Sequence, residues 1–273
     1  MARNDEFYLN KWVKYYGSLL GEENLYIYLD GLDQKAPSGD GRANVVIVEK
    51  QGIKVVEAEK RRLNFLSDRA AEMFAAGYDL VIGADSDEFL ICDPKTGKTL
   101  PEYLSSIKIN TVVGGLGLDI GEHLKNEKPF NPEIPIMDHR SHALISSKFT
   151  KASVISCPVR WGRGFHRVRG HMYHIDPNLY LLHCGNTDYK MLLAKHDSAD
   201  IIARKEQKHF RRSRMRVVHD ITAKRAIDGD KVFRLARNIQ RIFKPLYAWN
   251  KPSMLKMRWV VKLPSRFKKA ANI

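Results

Sequence analysis

The last 43 residues of this 273-residue chain contain no aspartate or glutamate, although they hold twelve lysines and arginines. The formal net charge of +15 is therefore unevenly placed. Residues 1–230 carry only about +3, and the basic character belongs to the tail. Cysteine is scarce as well. Cys92, Cys157 and Cys184 have neither disulfide-like nor metal-ligand spacing, which excludes a disulfide scaffold and reads as reduced thiols of a cytosolic protein. There is no run of about 18 apolar residues and no signal peptide, so no membrane-spanning helix is expected. The glycines of residues 111–118, Thr-Val-Val-Gly-Gly-Leu-Gly-Leu, lack the spacing and helix start of a phosphate-binding loop. A zinc site is excluded too, because His139 and His142 have no second ligand pair at usable spacing.

What is present is ample apolar content and an alternation of strand-like and helix-like segments, which argues an α/β fold. Leu9, Trp12, Val13, Tyr16, Leu19 and Leu20 fall at helical spacing and Gly21 stops them. Residues 25–29 and 44–48 read as strands, residues 57–76 as an amphipathic helix, and residues 78–84 as the strand that follows it. A helix leading into a buried strand is the connection that a parallel sheet needs. Glycines inside the strand at 111–118 mark a close approach of backbone or ligand, as in the floor of a pocket. Residues 170–175 and 179–184 read as two strands joined by a turn at Asp176-Pro177-Asn178.

The chemistry concentrates at residues 81–93, Val-Ile-Gly-Ala-Asp-Ser-Asp-Glu-Phe-Leu-Ile-Cys-Asp. In extended chain, residues i and i+2 project to one side, so Asp85 and Asp87 can share a hard cation. The ordinary reading of a bare Asp-x-Asp is a turn with solvated acids. Here the apolar run resumes at Phe89, which pins three carboxylates between two strands, where they repel one another unless a cation or proton intervenes. Asp30 ends an early strand, where Asp-Gly is ordinarily a turn, and His183 ends a late one, where a lone histidine is ordinarily structural. Both gain interest only through the acids.

Taken in order, Arg3-Asn4-Asp5-Glu6-x-x-Leu9-x-x-Trp12-x-x-Tyr15-Tyr16, residues 25–30, Asp85-Ser86-Asp87-Glu88-Phe89-Leu90, Gly164-Phe165-His166, and His183 with Asp188-Tyr189 form a pattern. It resembles bacterial family-2-like glycosyltransferases with a GT-A fold over roughly residues 1–200. The resemblance implies a mixed, mainly parallel sheet flanked by helices in residues 1–200, with residues 201–273 as a basic helical C-terminal extension. It also implies a nucleotide-sugar donor, a UDP-sugar first among them, whose diphosphate is held by Mn2+ or Mg2+. By the same resemblance Asp87 is the main metal ligand, Asp85 lies near metal and donor ribose, His183 closes the metal site, and Asp30 lies near the nucleobase. His166 is expected to contact donor or acceptor. One imidazole among oxygen ligands suits manganese in particular. An inverting displacement needs a carboxylate to deprotonate the acceptor hydroxyl. Asp119 comes first by position, with Asp138 and Glu122 as alternatives. The resembling proteins carry Asp-x-Gly-Ser-x-Asp at the early strand end; here the serine is missing from Leu29-Asp30-Gly31-Leu32-Asp33.

In the tail, Phe233, Phe243, Tyr247, Trp249, Trp259 and Phe267 are interleaved with cations. That mixture suits an anionic bilayer surface through residues 231–273. The resemblance adds an envelope glycan or glycolipid acceptor, met at the inner face of the cell membrane. Nucleic acid is the competing partner, disfavoured because the tail carries no recognisable nucleic-acid motif. A metal-dependent nucleotidyltransferase or phosphotransferase would share the two-carboxylate chemistry.

Overall fold

The computed structural model describes residues 1–39, 41–49, 55–196, 214–246, 249–255, 257–271 and 273. In chain order its first half comprises α1 (Glu6–Leu20), β1 (Tyr26–Asp30), β2 (Asn44–Val48), α2 (Val55–Ala75), β3 (Val81–Ile82), β4 (Glu88–Cys92), α3 (Leu100–Ser106) and β5 (Val112–Gly121). The second half comprises α4 (Ile136–His139), β6 (His142–Ile145), β7 (Val154–Ile155), β8 (His174–Asn186), α5 (Tyr189–His196), α6 (Arg216–Ala223), β9 (Ile227–Asp228), α7 (Gly229–Ile242), β10 (Val260–Lys262) and α8 (Phe267–Ala270).

The strand β5 is buried along its whole length, as a Val/Ile/Leu/Gly run covered on both faces should be. One edge pairs in parallel with β8, which pairs antiparallel with β4. Its other edge is shared. Val112 and Val113 meet β7, and Leu118, Asp119 and Ile120 meet β6, so the sheet forks there into β7–β3 and β6–β10–β9. The segment joining β6 to β7 must therefore run along β5, and the glycines make room for it. A Cβ on Gly114 would lie 1.9 Å from the Lys151 carbonyl oxygen, and one on Gly117 would lie 2.2 Å from the Phe149 carbonyl carbon. The close approach expected at these glycines is made by the chain's own backbone.

The mixed α/β class holds, but the mainly parallel sheet does not. Five pairings of the large sheet are antiparallel, namely β3–β7, β4–β8, β5–β6, β5–β7 and β6–β10, against β5–β8 and β9–β10 in parallel. Alternation identifies a strand but not the direction of its partner. The helix α2 does lead into β3, yet β3 is two residues long and pairs with β7 rather than with β1. The strands β1 and β2 pair with each other in a two-stranded parallel sheet of their own. A cleft of about 460 Å3, lined by Trp12, Tyr16, Tyr26, Tyr28, Val81 and Ile82 among others, lies between β1 and β3.

Two further expectations change. Asp176-Pro177-Asn178 does not reverse the chain: β8 stays parallel to β5 on both sides of it, and the three residues form a bulge between the partners of Gly114 and Leu116. Asp176 holds that bulge by accepting from the backbone N–H groups of Asn178 (2.7 Å) and Leu179 (3.1 Å). The sheet also crosses the expected boundary at residue 200, since β10 pairs with β6 and β9 with β10. In the basic run after residue 200, Arg204, Lys205, Lys208, Arg211 and Arg212 lie outside the described residues, as does Tyr247 of the tail.

The acid-bearing strand β4 has one partner, β8, and α1 covers its other edge. Tyr15 donates its hydroxyl to the Leu90 carbonyl (2.7 Å), while the Tyr16 hydroxyl accepts from the Leu90 N–H (2.8 Å) and donates to the Glu88 carbonyl (3.3 Å). Two buried tyrosines thus satisfy an edge that would otherwise expose or bury unpaired backbone groups. They also fix the start of β4, where the acids stand.

Candidate functional site

Asp85, Ser86 and Asp87 form the turn between β3 and β4, closed by the Glu88 N–H donating to the Asp85 carbonyl at 3.1 Å. The register Glu88–His183 in β4–β8 and Asp119–His183 in β5–β8 puts three sequence-distant residues side by side. His183 Nε2 lies 3.1 Å from Asp87 Oδ2, and His183 Nδ1 lies 2.7 Å from Asp119 Oδ1. Asn186 donates its amide to the same Asp119 oxygen at 2.7 Å. Phe149, delivered by the segment along β5, stacks on the imidazole with ring centroids 3.7 Å apart. The histidine is therefore fixed on one side by a carboxylate and on its face by a ring. Its Nε2 is aimed at Asp87.

A cation already stands at that nitrogen. Arg214, just before α6, places Nη1 2.7 Å from His183 Nε2 and 3.6 Å from Asp87 Oδ2. Asp85, two residues from Asp87, points elsewhere: Arg62 Nη1 donates to one of its oxygens at 3.0 Å and Lys151 Nζ to the other at 2.7 Å. Lys151 also pairs with Glu88 at 2.6 Å, and Arg62 forks onto Glu59. The two aspartates are thus split, one facing the histidine and the other neutralised by cations. Asp85, expected among the metal ligands, has both oxygens engaged. Among the described residues no three His, Cys, Asp or Glu side chains are gathered as a metal-binding group.

The electrostatics follow from burial set against these partners. Burial by itself would raise the Asp87 pKa, but the charges of His183 and Arg214 outweigh it and hold the carboxyl well below the usual range. The same contest, won by Lys151 and Arg62, holds Asp85 low. Glu88 goes the other way. Burial, with Asp85 and Asp87 adding to it against Lys151, pushes it up to about 6. Burial would lower His183, yet Asp87 and Asp119 raise it above its ordinary value.

Of the other expected residues, Asp119 backs His183, Glu122 and Asp138 stand apart from the acid cluster, and His166 joins this neighbourhood. Its pKa is lowered to about 4 by burial and then by Lys151 and Lys148, while Asp85 opposes them. Phe165, the residue before it, has φ of +58°, an uncommon conformation for a bulky side chain, and packs under Gly83 beside Trp161. Asp119 is buried behind His183. Glu122 accepts from the Tyr189 N–H at 2.8 Å and pairs with Arg140 at 3.3 Å, and the exposed Asp138 pairs with Lys268 at 3.4 Å. Neither contacts the acid cluster. Asp30 ends β1, and its charge and that of Asp85 both act on the α-amino group of Met1, whose pKa burial nonetheless brings down to about 5.

Sequence reasoning missed Arg62, Lys151 and Arg214. Arg62 lies at i+3 from Glu59 on a charged helix face, which reads as a solvated pair. Lys151 lies in a connecting segment and acts across 66 residues, where no spacing rule reaches. The chain matches no family model, no curated protein and no solved structure.

Proposed function

We propose that this chain is a metal-dependent glycosyltransferase of the GT-A type, taking a sugar from a nucleotide-sugar donor to an envelope glycan or glycolipid acceptor. The observation that carries the reading is the pair Asp87 Oδ2 and His183 Nε2, 3.1 Å apart and backed by Asp119. Two ligands in adjacent positions around an octahedral ion, each about 2.1 Å from it, stand about 3 Å apart. Magnesium and manganese take few protein ligands and complete their shell with waters and substrate phosphates, so one carboxylate and one imidazole suffice beside a diphosphate. A carboxylate hydrogen-bonded to the far nitrogen of a ligating histidine is the usual device for fixing its tautomer. The guanidinium of Arg214 in front of the pair supports the fit, because the same two atoms already hold a positive charge.

Bound there, the cation would neutralise the diphosphate as it leaves. In this reading Asp87 and His183 hold the metal, Asp119 positions His183, and Arg214 moves from the imidazole to the donor phosphates. Asp85 holds Lys151 and Arg62 at the edge of the site, and the buried Glu88 shares Lys151. Asp87→Asn is expected to abolish the thermal shift given by UDP with manganese, along with sugar transfer, while the apo protein keeps its fold. An Asp87→Asn protein that still shifts and transfers would remove this reading. Screening UDP-, GDP-, CMP- and dTDP-sugars with manganese identifies the donor.

A further inference from the structure

Beside the acid cluster is a cavity of about 740 Å3, whose wall joins the segment after β6, the turn carrying Arg163, His166 and Arg167, α6, residues 251–254, and Met257 with Arg258. Its charged lining is one-sided. Lys148, Arg163, Arg167 and Arg216 line its open side, three of them solvent-exposed, and among the described residues none of the four has a carboxylate within ion-pair distance. The acid in the wall, Asp220, is paired with Arg258 and with Lys224 (3.5 Å). Like charges held in a concave, partly apolar site repel one another and focus a field that favours an anion. The cavity also has an apolar side, built from Leu144, Val217, Met254 and Met257.

The cavity adjoins the proposed metal site. Lys148, in the cavity wall, lies over the Phe149 ring at 5.2 Å, and that ring stacks on His183. His166 Nδ1 is buried without a hydrogen-bond partner. Three arginines offer planar forks that match phosphate oxygens two at a time. The apolar wall suits an attached carbon body rather than a bare ion.

We propose that this cavity binds the phosphate or diphosphate group of the acceptor, so that the sugar is transferred to a phosphate-bearing glycan or glycolipid. The proposal rests on the glycosyltransferase reading for the word acceptor. Its binding claim stands apart, because neither metal nor donor is needed to measure it.

Isothermal titration without metal, using decyl phosphate, glucose 1-phosphate and the neutral octyl glucoside, tests the proposal. At least one phosphate is expected to bind tenfold or more tighter than octyl glucoside, with affinity falling steeply as salt rises. A preference for decyl phosphate assigns the group to a lipid, and a preference for glucose 1-phosphate assigns it to a soluble glycan. Arg163→Gln with Arg216→Gln, on two different elements, is expected to weaken phosphate binding at least tenfold. Should this variant fail to fold, the salt dependence and the neutral control decide alone. Three results overturn the proposal: no preference over octyl glucoside, a folded double variant that binds like wild type, or exclusion of decyl phosphate by saturating UDP with manganese. The last would make the cavity part of the donor site. Failure of every nucleotide-sugar to bind would remove the glycosyltransferase reading and leave phosphate binding intact.

Discussion

At the scale of single residues, the site turns on which proton His183 carries and what holds it. Its Nδ1 lies 2.7 Å from the buried Asp119, and its pKa is raised by Asp87 and Asp119 against the effect of burial. A metal takes only the neutral imidazole, so proton and cation compete, and manganese affinity should rise with pH through the range above about 6.5. Asp119→Asn keeps the shape and removes a charge that favours the imidazolium. The His183 pKa then falls, and the onset of manganese binding moves to lower pH. The plateau affinity is expected to drop about 10–100-fold, because a neutral amide oxygen replaces the charged acceptor that fixes the tautomer of the ring. Titration of manganese followed by electron paramagnetic resonance reads both effects. A weaker plateau with an unmoved onset would mean that Asp119 serves only packing.

At the scale of elements, the decisive feature is the segment that runs along β5, because it brings both Phe149 and Lys151 to the acids. Its path depends on Gly117, where an added Cβ would lie 2.2 Å from the Phe149 carbonyl carbon, 2.4 Å from the Thr150 nitrogen and 2.5 Å from the Ser146 carbonyl oxygen. All three are backbone atoms of one run, so relief requires moving the segment itself. Gly117→Ala is expected to cost about 1–3 kcal/mol, read as a lower urea midpoint at unchanged slope. The Phe149–His183 stack should loosen with it. An unchanged midpoint would show that the segment adjusts freely. The sequence makes part of this legible: three acids following a strand, a histidine ending another, and glycines that demand a close approach. It does not reveal that the approaching chain comes from residues 146–151, since that depends on a fork in which β6 and β7 share one edge of β5. Strand direction is lost for the same reason, and Asp176-Pro177-Asn178 shows that turn chemistry can serve a bulge as well as a reversal.

At the scale of the whole molecule, the basic tail has two parts, one packed into the core and one exposed. Phe233 and Phe267 pack on Tyr180 with centroids 5.0 and 4.8 Å away, β10 completes the sheet beside β6, and Arg266 forks onto Asp93 at 2.6 and 3.0 Å. Deleting residues 231–273 would therefore strip the core and say nothing about surfaces. Between these anchors lie Ile242, Phe243, Leu246 and Trp249, exposed by 69%, 53%, 83% and 50%, with the exposed Arg241 beside them, while Lys244 is buried over the Tyr173 ring. Among the described residues no helix is long and apolar enough to cross a bilayer, but such side chains can dip rings and aliphatic groups into headgroups while Arg241 meets lipid phosphates. We propose that this run rests on the anionic surface from which a lipid-linked acceptor would be drawn. The protein is expected to float with vesicles containing phosphatidylglycerol and to remain behind with pure phosphatidylcholine. Leu246→Glu combined with Trp249→Ala should reduce flotation about tenfold without changing the melting temperature, since both side chains are at least half exposed. Equal flotation of the variant and wild type, or flotation of neither, would leave Ile242, Phe243, Leu246 and Trp249 as ordinary surface and separate the phosphate cavity from any bilayer.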